Sequence, residues 1–330
     1  MTDPSKPFVH EPVMRSEIID LFAPVPEGLV IDATVGGGGH ADALLRAHPQ
    51  LSLLGLDQDA DALEAAAARL APHGPRVTLR RARFDQLATV VMQLGHNTVA
   101  GVLFDLGVSS PQLDRPERGF SYREEGPLDM RMDPRSALTA ADVVNEYAEL
   151  ELVRVLREHG DERFAARIAK AIVAARPIMT TTDLAEIIRD AIPAAARRTG
   201  GHPAKRSFQA IRIEVNAELD ILGEAIDQGI EVLTPGGRIA VLAYHSGEDR
   251  IVKDRLREAS STGVTPPPGL PVEPDELGRR PRLRLLKRGA WKPSADEVEA
   301  NPRAQSARLR AGERLEDAGP DDGAPPGGTT

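Results

Sequence analysis

The 330-residue chain contains no cysteine. That absence excludes disulfides, thiolate zinc sites, iron–sulfur clusters and every mechanism that needs a cysteine nucleophile. Aromatics are scarce, with one Trp, three Tyr and seven Phe, so few side chains can stack on exposed bases. Tyr122, Tyr244 and Trp291 lie nearest to polar or basic segments. No apolar run approaches the roughly 18 residues that cross a bilayer, and no basic-then-apolar stretch opens the chain. The expectation is a cytoplasmic protein with no membrane partner. The eight histidines lack the i, i+4 pairing and the acidic neighbour of a metal motif, so no metal is expected. An excess of positive charge is also missing. The formal net charge of −9 argues against holding nucleic acid by bulk charge and leaves that task to local patches.

What is present can build a full core: 41% of residues are hydrophobic and 28% charged. The length suits two domains, or one α/β unit with an insertion. Apolar runs at 29–33, 51–56, 76–79 and 99–104 alternate with helical stretches near 40–47, 60–70 and 85–94. That alternation calls for a parallel sheet with helices on both faces. Residues 139–192 read as almost all helix, with a Thr cap at 139, helices at 149–158 and 161–175, and a Thr182-capped helix to 191. A basic, turn-rich hinge at 197–206 follows, then a long amphipathic helix at 208–233 and a fifth strand at 238–243. Late strands are expected at 282–287 and 306–311, after a Pro/Gly-rich loop at 263–281. The predicted architecture is α/β: a Rossmann-like sheet built discontinuously from 8–112 and 208–311, a small helical domain inserted at 113–207, and disordered tails at 1–7 and 312–330.

The first strand runs into Asp32-Ala33-Thr34-Val35 and then four glycines, Gly36 to Gly39, before His40 opens a helix. Glycines let a ligand approach the backbone, and a helix start offers free N–H groups. Asp57, at the end of the second strand, is placed to hold ribose hydroxyls. A nicotinamide dehydrogenase would show a similar glycine pattern. Two details favour S-adenosylmethionine. Asp32 sits where a pyrophosphate would be repelled and an ammonium attracted, and Asp59 adds a second acid beside Asp57. Phe84, near the end of the third strand, either covers an adenine ring or belongs to the core.

The most unusual stretch is 102–133, VLFDLGVSSPQLDRPERGFSYREEGPLDMRMD. It starts as a strand, ends that strand at Asp105, and continues for about twenty-five residues without helical or strand periodicity. Its apolar and aromatic content rules out a solvated linker and marks a structured active-site segment joining the two domains. Without cysteine, methylation of a pyrimidine carbon is excluded, while oxygen and exocyclic nitrogen acceptors remain. Asp105 and the carbonyls of the turn at 107–110 could accept the N–H bonds of an exocyclic amine; otherwise Asp105 is a strand-end turn residue. Arg118 and Arg131 are expected to help clamp RNA. Two basic clusters serve as RNA contacts or as solvated faces: Arg197, Arg198, Lys205 and Arg206, and the run of Arg279, Arg280, Arg282, Arg284, Lys287, Arg288 and Lys292.

The stretch DLGVSSPQLDRPERGFSYREEGPLDMRMD, with DATVGGGGH, HPAKRSFQAIRIEVNAEL, YHSGEDRIVK and NPRAQSARLR, resembles the bacterial 16S ribosomal RNA cytosine-N4 methyltransferase family known as RsmH or MraW. The similarity spans residues 10–314. It implies S-adenosylmethionine as donor and the exocyclic N4 of one cytidine in the decoding region as acceptor, in naked 16S RNA or the assembled small subunit. It also implies that Gly38, Gly39 and His40 line the cofactor and that Asp57, Phe84, Asp105 and Gln112 complete that pocket. The sequence departs from the family pattern at Gly247, where Leu is common, at Tyr244, where Phe is usual, and at Lys205, where Thr is usual. Direct in-line transfer is expected, with Asp105 as the catalytic group. The competing classes are a ribosome-assembly factor that kept the fold without the reaction and a dehydrogenase. The sequence leaves a homodimer open.

Overall fold

Strand β1 (Gly28–Asp32) pairs in parallel with β2 (Leu51–Asp57) on one side and β4 (Val99–Asp105) on the other in the computed structural model, which describes residues 12–198, 202–261 and 280–316. Beyond β2 lies β3 (Val77–Arg81), and beyond β4 lies β5 (Leu233–Ala243), both also parallel. Two antiparallel strands close the far edge, β7 (Arg308–Arg314) against β5 and β6 (Leu283–Leu285) against β7. The order is β3-β2-β1-β4-β5-β7-β6, the Rossmann-like α/β sheet that strand–helix alternation predicts.

Side chains alternate across each strand, and both faces of this sheet are covered, so its central strands are nearly continuous apolar runs. Ile31, Leu54, Val102, Phe104, Ile239 and Val241 pack with α4 (Leu87–Gln93), α11 (Glu218–Glu231) and α12 (Ser246–Ala259). Their neighbours Val30, Leu103, Ala240 and Leu242 pack on the other face with α1 (Arg15–Phe22) and α2 (Gly39–Ala47), and Leu53 packs there with α3 (Ala60–Leu70). After β3 the chain returns to lie beside β1 as β4. The connections leaving β1 and β4 therefore diverge, and a crevice opens at the carboxyl ends of these strands.

Between β4 and β5 come α5 (Ser110–Asp114), α6 (Ala140–Glu146), α7 (Glu149–Glu158), α8 (Ala165–Ala175), α9 (Thr181–Ala191) and α10 (Lys205–Asn216). These helices have their own core, with Leu152, Leu156, Ile168, Ile172, Leu184 and Ile188 fully buried. Thr139 starts α6 as predicted: its hydroxyl accepts from the Asp142 N–H, while Asp142 accepts from the Thr139 N–H at 2.7 Å. The cap of α9 is Thr180 rather than Thr182, because the Thr180 hydroxyl is the one that accepts from the Asp183 N–H.

Three further expectations change. The single helix predicted at 208–233 is two, α10 and α11, broken at Ala217, whose φ of 51° is left-handed. Apolar periodicity continues through the break and hides it. Phe208 and Ile211 face the helical core, whereas Leu222 and Ile226 face the sheet core, so the chain must re-aim between them. The helical core thereby extends to Val215, past the seam expected at 208. The tail expected to be loose from Gly312 is instead strand as far as Arg314, because β7 is an interior strand whose Glu313 pairs with Arg238 at 2.8 Å. Residues 1–11 and 317–330, most of the Pro/Gly-rich loop at 262–279 with Arg279, and residues 199–201 lie outside the described residues. The short helix α13 (Ala295–Ala300) precedes β7. Among the described residues no helix is long and apolar enough to cross a membrane.

Candidate active site

Asp32, Asp57 and Asp105 are the last residues of β1, β2 and β4, and the parallel register brings all three to one cleft of about 1110 Å³. Asp32 is 2% exposed and accepts the Thr34 N–H at 3.3 Å. Burial pushes its pKa up to about 7. Asp57 accepts N–H bonds from Gly36 and from Asp59, both at 2.9 Å, which ties the glycine turn to β2. Burial still lifts its pKa to about 6.

The glycine turn divides by role. A Cβ on Gly37 would meet nothing within 4 Å, and one on Gly39 would strike Pro12 at 2.8 Å. Gly36, Gly37, Gly39 and His40 line the cleft; Gly38 does not, because its left-handed backbone packs behind the turn on Leu70 and Ala66. Its left-handed conformation, φ 76°, shapes the turn that presents the neighbouring glycines to the cleft.

His40 is buried, and neither ring nitrogen has a hydrogen-bond partner. Its Nε2 lies 3.4 Å from Asp105 Oδ2. The other oxygen of Asp105 accepts from the Tyr244 hydroxyl at 2.7 Å, and the Asp105 N–H donates to the Thr34 hydroxyl at 2.6 Å. Burial, reinforced by the Asp105 carboxylate, holds the Tyr244 pKa well above that of an ordinary tyrosine.

Phe84 lines the cleft and also packs edge-on against Phe104 of the sheet core, with centroids 6.1 Å apart. Gln112 lines the cleft too, yet its side chain is used internally. It accepts the Ser109 N–H and donates to Asp59, each at 3.0 Å, and so fastens α5 to the start of α3.

The segment 162–164 just before α8, helix α10 and the segment around Arg197 form the opposite wall. Arg197, Lys205 and Arg206 line it; Arg197 is braced by the Ile192 carbonyl at 2.7 Å and Arg206 by the Asp161 carbonyl at 3.2 Å. The side chain of Arg198 lies outside the described residues. Arg118 and Arg131 are not on this wall. Arg118 pairs with Asp59 at 2.9 Å and donates to the carbonyls of Arg131 and Met132, while Arg131 grips Asp129 and the carbonyls of Pro134 and Ser136. Both guanidiniums are thus engaged by nearby carboxylates and carbonyls, which brace the loop.

Sequence reasoning missed the Arg212–Glu218 pair, which is largely buried and doubly hydrogen-bonded at 2.8 and 2.9 Å across the α10–α11 corner. Burial raises the Glu218 pKa despite the guanidinium. Both residues line the cleft and both fall within HPAKRSFQAIRIEVNAEL, where their spacing of six gives no helical pairing signal. Tyr244 stands out in the sequence as an aromatic near polar residues and as a departure from the family's Phe, but its contact with Asp105 spans 139 positions and leaves no local signal.

A doubly wound sheet, a glycine turn after its first strand and strand-end carboxylates in one cleft define an S-adenosylmethionine-dependent methyltransferase. The chain belongs to the MraW methylase family, whose profile matches residues 7–315. A protein of Thermobifida fusca named ribosomal RNA small subunit methyltransferase H is 55% identical over 312 residues, covering 92% of this chain and 93% of that protein. Its namesake in Acidothermus cellulolyticus is 55% identical over 315 residues, covering 94% of each. Family membership makes the chain an enzyme and removes the dehydrogenase reading.

Proposed function

We propose that the protein transfers a methyl group from S-adenosylmethionine to the exocyclic N4 of a cytidine in the decoding region of 16S ribosomal RNA, acting in the cytoplasm on the RNA or the assembled small subunit. The observation that carries this reading is the position of Asp105. Its carboxylate is held by Tyr244 in the same cleft as the glycine turn and as Arg197, Lys205 and Arg206. The names of the two relatives support ribosomal RNA as substrate.

The residues fit the donor. Asp32 and Asp57 are buried with no lysine or arginine paired to them among the described residues, which suits an ammonium and ribose hydroxyls. Open space at Gly37 allows close approach to the backbone, and Phe84 offers an apolar surface for a purine. S-adenosylmethionine supplies an electrophilic methyl carbon on a sulfonium when bound.

The chain then has to orient the amine and remove a proton. The N4 lone pair of cytosine is delocalised into the ring, so an acceptor that takes an N–H hydrogen bond raises electron density on nitrogen as attack proceeds. Asp105 provides that acceptor, and Tyr244 occupies one oxygen so that the other is left for the amine. The helical unit at 113–216 acts as the RNA-recognition part, with Arg197, Lys205 and Arg206 meeting phosphates at the rim. No covalent intermediate is required.

The test is mass mapping of ribosomal RNA after undermethylated small subunits react with the purified protein. One methyl group on a decoding-region cytidine N4 is expected, and Asp105→Ala should abolish it with an unchanged circular dichroism spectrum. Transfer at the wild-type rate by Asp105→Ala would overturn the reading.

A further inference from the structure

The imidazole of His40 is an unusual feature of the cleft. The ring is 5% exposed, yet neither nitrogen makes a hydrogen bond, although leaving a buried polar atom unsatisfied costs about 1–3 kcal/mol. It cannot be explained as packing alone, since an apolar side chain of that size would fill the space without the penalty. Its Nε2 points to within 3.4 Å of Asp105 Oδ2, the oxygen that Tyr244 leaves open. A movement of a few tenths of an ångström brings the pair to ordinary hydrogen-bond distance.

Charged and titratable groups face His40 from several elements. From β1 the carboxyl of Asp32 acts on it directly, and from β4 so does Asp105. Asp57 on β2 adds negative charge behind Asp32, and Tyr244 and Glu297 lie beyond Asp105. The opposing cation is Arg69 of α3, whose guanidinium would lie 3.2 Å from a Cβ built on Gly39.

We propose that His40 is a proton relay: it takes from Asp105 the proton that leaves the substrate amine. The inference rests on the N-methylation reading above. As the N4 lone pair forms the N–C bond, the carbon–sulfur bond breaks and its electron pair stays on sulfur, which leaves N4 with one proton and one positive charge in excess. That proton passes to Asp105 Oδ2 and then to His40 Nε2, so Asp105 returns to the carboxylate while the imidazolium lies between two acids. Solvent collects the proton after product leaves. His40 reaches the amine only through Asp105 and is a positioning and relay residue, distinct from any contact its backbone makes with the donor.

The test replaces the imidazole by a neutral amide, His40→Gln. Single-turnover methylation of small-subunit RNA is followed across pH, with donor affinity measured in parallel by calorimetry. The rate should fall about tenfold to hundredfold, the pH dependence of the rate should change, and the loss of rate should exceed any loss of donor affinity by at least about tenfold. If Gln at this position fails to fold, His40→Asn is read in the same way. An unchanged rate, an unaltered pH profile, or a loss of donor affinity that matches the loss of rate would each overturn the relay and leave His40 as a wall. Absence of methyl transfer by the wild-type protein would bring down the underlying reading, and the relay with it. Transfer by wild type with an unaffected His40→Gln variant brings down the relay alone.

Discussion

The carboxyl of Asp32 ends β1 almost without exposure, and no lysine or arginine pairs with it among the described residues. Its folded pKa of about 7 lies above the ordinary 3.8, so the folded state holds this proton more tightly than the unfolded chain does. Stability must then fall as pH rises from about 4 to about 7 and stay at the lower level above that. At roughly 1.4 kcal/mol per unit, the ionised group costs about 4 kcal/mol as an upper value. Asp32→Asn should therefore stabilise the free protein by about 2–4 kcal/mol at pH 8 and by little at pH 4, as measured by denaturant unfolding. It should also weaken donor binding, and remove the tightening of that binding expected between pH 6 and pH 8 as Asp32 ionises. An equal gain in stability at both pH values would rule out desolvation of this carboxyl as the cause. The residue could be picked from its place before four glycines; its strain could not, because burial is set by β2, β4 and α2 packing around it.

Between elements, the corner joining α10 to α11 has the largest structural consequence. Asn216 accepts the Met132 N–H at 2.8 Å and donates to the carbonyls of Met130 and Arg212 at 2.8 and 2.9 Å. One side chain thereby fastens the long loop after β4 to the helix that returns the chain to the sheet. Asn216→Ala leaves these backbone groups unsatisfied and should cost about 1–3 kcal/mol, seen as a lower unfolding midpoint and faster amide exchange at 130–132. An exchange rate unchanged in that loop would show that it is held by its own contacts. The strands and most helices were legible because apolar spacing and caps such as Thr139 are local signals. The break at Ala217 and the strand at 312–314 were not legible: the first depends on two cores needing differently aimed faces, the second on Arg238 waiting across β5.

Across the whole molecule, a chain of net charge −9 places Arg197, Lys205 and Arg206 together on one wall of the cleft. Changing Arg197, Lys205 and Arg206 together to Glu should weaken RNA binding and reduce the salt slope of log K by about 2, if each contacts one phosphate. Donor affinity should remain within about twofold; an unchanged RNA affinity would mark the cluster as a solvated face. Amino-acid order was sufficient for the α/β class, the placement of Asp32, Asp57 and Asp105 at strand ends, and the exclusion of cysteine chemistry, since each depends on residues near in sequence or on composition alone. It did not show the internal partners of Arg118 and Arg131, Asp59 and Asp129, which become evident only when the loop has folded. It was silent on the Tyr244–Asp105–His40 contact, which joins β5, β4 and α2 across the carboxyl edge of the sheet. Contacts of that kind follow from parallel register, which brings together residues 65 and 139 positions apart and leaves no local pattern along the chain.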